Sequence, residues 1–146
     1  MRIYVASSWR NKRLDKIVAE LREAGHEVFD FRETRGFSWS KVDPGWQKWS
    51  AEERAAASRH PVAREGFDRD MTALAWAEAC LLVEPCGKSA HLELGWASGQ
   101  GKQAAVLLDP ENPGEAELMQ NMAHGGIFTT LEEVLLWLQG LRGRAA

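Results

Sequence analysis

The stretch SAHLELGWASGQGK, residues 89–102, sets one carboxylate, Glu93, into the first turns of a short helix between two strands. Its row-mates one turn either side, Ala90 and Ala97, are small. The approach EPCGKS carries a proline and a glycine, and the exit is glycine-rich. With Ser89 near the cap, Glu93 lies within about a turn of the helix start, where free N–H groups and the helix dipole favour an anion. An ionised carboxylate kept there suits a nucleophile or the stabilisation of an oxocarbenium ion. A plain first-turn glutamate, a common stabilising device, would occupy the same position.

Asp70 is the second acid. Phe67, Met71 and Leu74 define an apolar stripe on the preceding helix, and Asp70 falls within it while Asp68 and Arg69 point elsewhere. An acid on an inward stripe is unfavourable unless it is paired or lines a cavity. The ordinary alternative is an edge aspartate paired with Arg64 or Arg69. Two carboxylates on one pocket suit glycosyl transfer, one attacking or stabilising the anomeric carbon and the other moving protons.

The third element is SSWRN, residues 7–11, where a strand ends in two serines and an arginine opens a helix. Ser8, Arg10 and the backbone N–H groups there could hold a phosphate; Ser8 as a helix cap with Arg10 solvated is the plainer reading. No GxGxxG or GxxxxGK occurs, so this is neither a dinucleotide loop nor a P-loop. Cys86 has no identifiable base, His91 and His124 read as loop or solvated residues, and His26 and His60 as incidental. Trp39, Trp46 and Trp49 fall in one loop-like stretch, read as a folded-over lid with base stacking open to one of them.

Positioning these groups takes strands at 2–7, 26–31, 80–84 and 103–108, with a further small one near IFT. Leu14, Ile17, Val18 and Leu21 mark the first helix, stopped by Gly25. Periodicity fails from Arg32 to Ser50, and a loop of that length tends to be functional or mobile. Ser50 with Glu53, and Thr130 with Glu133, make capping boxes. Pro61 interrupts, and a helix follows over roughly 63–79. Strands alternating with helices predict a three-layer α/β sandwich around a central parallel, Rossmann-like or flavodoxin-like sheet of four to five strands. Ligands collect at the carboxyl ends of such strands, where all three features fall.

The 146 residues are about one domain's worth, expected as residues 1–140 with a disordered tail over 141–146. A net charge of −3, from 18 basic and 21 acidic residues without runs, argues against a nucleic-acid partner. No apolar run is long enough to span a membrane, and no signal peptide precedes MRIYVASS, so a cytoplasmic setting is expected. Cys80 and Cys86 lack a ligand cluster, so no metal is expected.

IYVASSW, FDRDMTAL and SAHLELGWASGQGK together resemble the nucleoside 2-deoxyribosyltransferase superfamily, which includes nucleoside 5′-monophosphate N-glycosidases. The similarity covers most of the chain in order, least so at 32–60, and the E-L-G-x-A piece is its most specific part. The resemblance implies that Glu93 is the nucleophile and Asp70 its acidic partner. Ser8 and Arg10 match the phosphate-holding positions of the glycosidases, and Ser89, just before the Glu93 helix, could add another hydroxyl, whereas Trp9 looks like the first loop of the transferases. Gly87 or Lys88 stands where the transferases carry an extra aspartate, so Gly87 is counted with Ser8, Trp9, Arg10 and Ser89 as substrate-binding. The residue that a neighbouring transferase subunit contributes near the C-terminus is not matched in LMQNMAHGG. The expected activity is cleavage of the N-glycosidic bond of a nucleoside 5′-monophosphate or nucleoside. No cofactor is implied, and a homodimer or higher homo-oligomer is. Base exchange by a transferase, and a non-catalytic nucleotide-binding or sensing module, are the alternatives.

Overall fold

The computed structural model describes residues 1–34 and 36–145. The chain divides into two compact units, Met1–Asp30 with Trp76–Ala146, and Phe31–Ala75, where one domain was expected.

The first unit is built on five parallel strands: β1 (Arg2–Ala6), β2 (Glu27–Phe29), β3 (Ala79–Val83), β4 (Gln103–Leu107) and β5 (Gly126–Phe128), in the order β2-β1-β3-β4-β5. β3 reads ACLLV and is buried throughout, the continuous apolar run of a strand covered on both faces. Helix α1 (Leu14–Glu23) follows β1, and its buried Leu14, Ile17, Val18 and Leu21 are the periodic residues of the sequence. Two further helices of the unit are Lys88–Gly99, between β3 and β4, and Leu131–Ala145, after β5. The path from β1 to β2 and the path from β3 to β4 run in opposite directions across the sheet. Right-handed crossovers therefore put α1 and the Lys88–Gly99 helix on opposite faces.

The second unit holds short turns at Trp39–Lys41 and Trp46–Lys48, then α2 (Ala51–Ala57) and α3 (Pro61–Trp76). With these, the helices at Lys88–Gly99 and Leu131–Ala145 are α4 and α5. The Ser50–Glu53 capping box forms at the start of α2, and Thr130 and Glu133 form the other ahead of α5. Pro61 opens α3 rather than interrupting a helix, since a first-turn residue has no intrahelical N–H bond to lose. Phe37 meets Trp39 edge-on at 4.7 Å, and Trp39 meets Trp49 at 5.5 Å. The indole N–H of Trp49 donates to Asp43 at 2.7 Å. The excursion thus folds on an aromatic cluster of its own, which occupies Trp39 and Trp49.

Residues 141–145, expected as a disordered tail, belong to the end of α5, and Ala146 lies outside the described residues. Arg142 and Arg144 complement the dipole of that last turn, and the Arg142 guanidinium donates to the carbonyls of Ala24 (3.2 Å) and Gly25 (2.6 Å) just past α1. The same guanidinium lies 3.4 Å from Nδ1 of buried His26. Burial first, then the Arg142 charge, pull the His26 pKa down to about 4. The unfolded chain protonates His26 near 6.5, so the folded state is at full advantage above that pH and loses it as pH falls toward 4. Denaturant titrations at pH 7 and 4.5 should differ by about 1–3 kcal/mol from this group. His26→Gln should flatten that difference; an unchanged slope would assign it elsewhere.

Candidate active site

The strand order reverses at β1, which has β2 on one side and β3 on the other. Ligands of doubly wound sheets gather outside the carboxyl ends of the strands at such a point. Four side-chain bonds stitch it here. The Ser7 hydroxyl donates to the Val83 carbonyl at 2.7 Å. The Asn11 amide donates to Ser7 Oγ at 3.0 Å and to the Val83 carbonyl at 3.2 Å. Arg13 Nη1 donates to the Glu84 carbonyl at 2.6 Å. Asn11 is 2% exposed and also accepts from the Arg13 N–H. The sequence signal was a lone asparagine in a polar run, which nothing local separates from a solvated one.

Helix α4 is capped by Gly87, with no side-chain cap bond, so Ser89 is an exposed first-turn residue rather than the cap. That moves Glu93 into the second turn, beyond the reach of the dipole argument. What holds it is Tyr4, whose phenolic O–H donates to Glu93 Oε1 at 3.0 Å. Tyr4 is 1% exposed and stacks on Phe29, ring centroids 5.3 Å apart. The register sets Cys80 on its other flank, and burial first, then the Glu93 charge, push the Cys80 thiol well above its usual range. Glu93 therefore reaches down to the sheet. Ala90 and Ala97, both buried, are the small row-mates that let α4 lie against β1, β3 and β4. Tyr4 was not singled out from the sequence. A hydroxyl within the apolar run RIYVA was the available signal, because a buried tyrosine usually finds a partner.

Asp70 lies on α3, whose buried positions are Ala63, Gly66, Ala73 and Leu74. Its place on the inward stripe stands, but Phe67 does not share it: Phe67 is 54% exposed, beneath the Arg64 guanidinium at 5.4 Å. Gly66 explains the shift, for the Phe37 ring packs there so closely that an added Cβ would sit 3.0 Å from Phe37 Cβ. Arg69 Nε is 3.8 Å from Asp70 Oδ1, an ion pair longer than a hydrogen bond, and that buried oxygen accepts none. Burial raises the Asp70 pKa, against the opposing charge of Arg69. Arg64 pairs with Asp68 instead, at 4.0 Å.

The first loop differs from its expected form. Helix α1 begins at Leu14 after Arg13, so Ser8 caps no helix and Arg10 opens none. Ser8 Oγ accepts from the Arg10 N–H at 3.2 Å within a turn closed by Asn11 N–H to the Ser8 carbonyl. Trp9 is 51% exposed. Arg10 lines a cleft of about 540 Å³ with Lys12, Arg13 and Asp109, whereas Gly87 and Lys88 line another; neither lining includes Glu93 or Tyr4.

His91 is a helix residue rather than a loop one, with Nδ1 2.9 Å from the Gly87 carbonyl and 3.9 Å from Cys86 Sγ. This is no nucleophile–base pair, because burial and the charges of Glu84 and Glu93 push the Cys86 thiol up to about 12. Among the described residues no group of three or more His, Cys, Asp or Glu could hold a metal, and no helix is long and apolar enough to cross a membrane.

No protein-family model matches the chain, and no curated protein matches it in sequence. Solved structures do match it in fold. One is a 2-deoxyribosyltransferase from Bacillus psychrosaccharolyticus, at TM-score 0.58 and 21% identity over 92% of this chain and 90% of that one. Another is a conserved protein from Enterococcus faecalis V583, at TM-score 0.60 and 12% identity over 94% and 96%. A third is a CMP N-glycosidase from Clostridium botulinum, at TM-score 0.51 and 19% identity over 95% and 98%. The chain thus has the three-layer α/β fold of a deoxyribosyltransferase and of a nucleotide N-glycosidase, the fold that the resemblance of its motifs implies.

Proposed function

We propose that this protein is an enzyme of the nucleoside 2-deoxyribosyltransferase superfamily that cleaves the N-glycosidic bond of a nucleoside 5′-monophosphate or nucleoside. The observation that carries this reading is Glu93, a carboxylate oriented by a buried tyrosine hydroxyl beside the strand-order reversal. In the proposed reaction Glu93 attacks or stabilises C1′ as the C–N bond breaks. The departing base takes a proton, and Asp70 is assigned to supply it from its own surroundings and from the motif resemblance. Water then attacks C1′, frees Glu93 and returns a proton to Asp70. The assay is incubation with a panel of nucleosides and 5′-monophosphates, with free base followed by chromatography. Absence of free base across the panel would favour a binding or sensing module.

The preference for a 5′-phosphate is proposed from Arg10, Lys12 and Arg13, three cations that outnumber Asp109 and Glu111 on one cleft at the end of β1. A charge-assisted contact is worth about 1.5–3 kcal/mol, so a monophosphate should be cleaved at least ~10-fold more efficiently than its nucleoside. Arg10→Ala should erase most of that ratio by raising KM for the monophosphate more than for the nucleoside. Exposed Trp9 favours the second reading, base exchange. If nucleosides react as well as monophosphates, Arg10→Ala affects both alike, and an added second base is incorporated, the transferase reading replaces hydrolysis.

A further inference from the structure

Glu84 is the first residue after β3, and its side chain has a role in none of the chemistry above. It is 9% exposed and makes no ion pair among the described residues. Gln120 Nε2 donates to Glu84 Oε1 at 2.7 Å and also approaches His91 Nε2 at 3.2 Å. A carbonyl at His91 Nδ1 and the Gln120 amide at Nε2 match the tautomer with its hydrogen on Nδ1. The Gln120 amide thus fixes the Glu84 carboxyl from its Oε1 side. Its other oxygen, Oε2, has no hydrogen-bond partner and is not sealed from solvent.

That carboxyl lines a cleft of about 760 Å³ between the start of α4 and the 112–122 segment, a size suited to a small organic ligand. Leu92, Met119 and Met122 give it apolar walls, and Glu115 and Glu117 against Lys88 leave it acidic. Lys88, His91, Leu92 and Gly95 share one side of α4, whereas Glu93 points to Tyr4 from the other. A nine-tenths-buried carboxyl with no ion pair among the described residues is unfavourable unless a ligand completes it. We propose that this cleft is a second binding site, separate from Glu93, for an aromatic ring carrying amidine-type N–H donors, such as an amidine or aminopyrimidine. The N–H edge meets Glu84 and the ring lies between Leu92 and the two methionines. The proposal does not rest on the glycosidic reaction.

The chain has four methionines, Met1, Met71, Met119 and Met122, so methyl-labelled methionine gives a four-signal NMR spectrum that locates a ligand. Benzamidine and 2-aminopyrimidine should saturably shift Met119 and Met122 and leave Met1 and Met71 in place. Benzoate and benzyl alcohol should not. Glu84→Gln keeps an acceptor for Gln120 but removes the charge, and should weaken benzamidine binding at least ~10-fold. Glu93→Gln should leave that binding unchanged. Should Glu84→Gln fail to fold, Met119→Ala at the exposed wall should weaken binding at least ~4-fold, about one methylene's worth, with the Met122 shift retained. The second site is overturned by the absence of saturable shifts, by benzoate or benzyl alcohol binding as tightly, by equal affinity in Glu84→Gln or in folded Met119→Ala, or by loss of binding in Glu93→Gln.

Discussion

Glu93→Gln should lower base release on the order of 10⁴–10⁶-fold, the range for loss of a covalent nucleophile. The amide oxygen can still accept from the Tyr4 hydroxyl, so the variant should melt close to the parent. That separates chemistry from support, because Glu93→Ala also removes the acceptor and should lower stability by about 1 kcal/mol, the net worth of a typical hydrogen bond. Single-turnover assays with circular dichroism melts on both variants make the comparison. Near-parental activity in Glu93→Gln would refute the nucleophile assignment. A variant that is unfolded but regains activity on refolding would mark Glu93 as structural.

Asp70→Asn should slow the reaction by roughly 10²–10⁴-fold, the usual contribution of a general acid–base. Burial raises the Asp70 pKa, so the protonated form needed to donate to a leaving base persists to higher pH than for an ordinary aspartate. The parent rate should therefore hold as pH rises and fall only above the raised pKa, and Asp70→Asn should lose that limb. A raised carboxyl pKa favours the folded state below the unfolded value, and that advantage is lost as pH rises through the folded one. Asp70→Asn should thus melt no lower at pH 8 than the parent. A marked drop in melting temperature with unaltered specific activity would make Asp70 a structural partner of Arg69.

The parallel sheet was legible because its central strands are covered on both faces and continuously apolar, and CLLV and AAVL announce that without reference to neighbours. The register of helices was less legible. Spacing alone put Phe67 on the inward stripe of α3, but Gly66 leaves a recess that the distant Phe37 ring fills, and Phe67 turns outward. Glu93 was legible as an unusual glutamate, though for a reason the structure replaces: a hydroxyl one strand away holds it, not the helix start. Tyr4 and Asn11 were missed because their partners, Glu93 and the Val83 carbonyl, are far off in sequence.

Ser7 and Asn11 act as fixed posts, each bonded to the end of β3, and the three residues between them hang from those posts. An engineer can treat Ser8, Trp9 and Arg10 as an exchangeable cassette. A library randomised at these three positions should retain the parent fold in most members, because the anchoring bonds come from outside the window. The same library with Asn11 randomised as well should lose a large share of folded members. Under the proposed function, selectivity for the sugar's 5′ end is the property such a library would re-letter, with the Tyr4–Glu93 pair untouched.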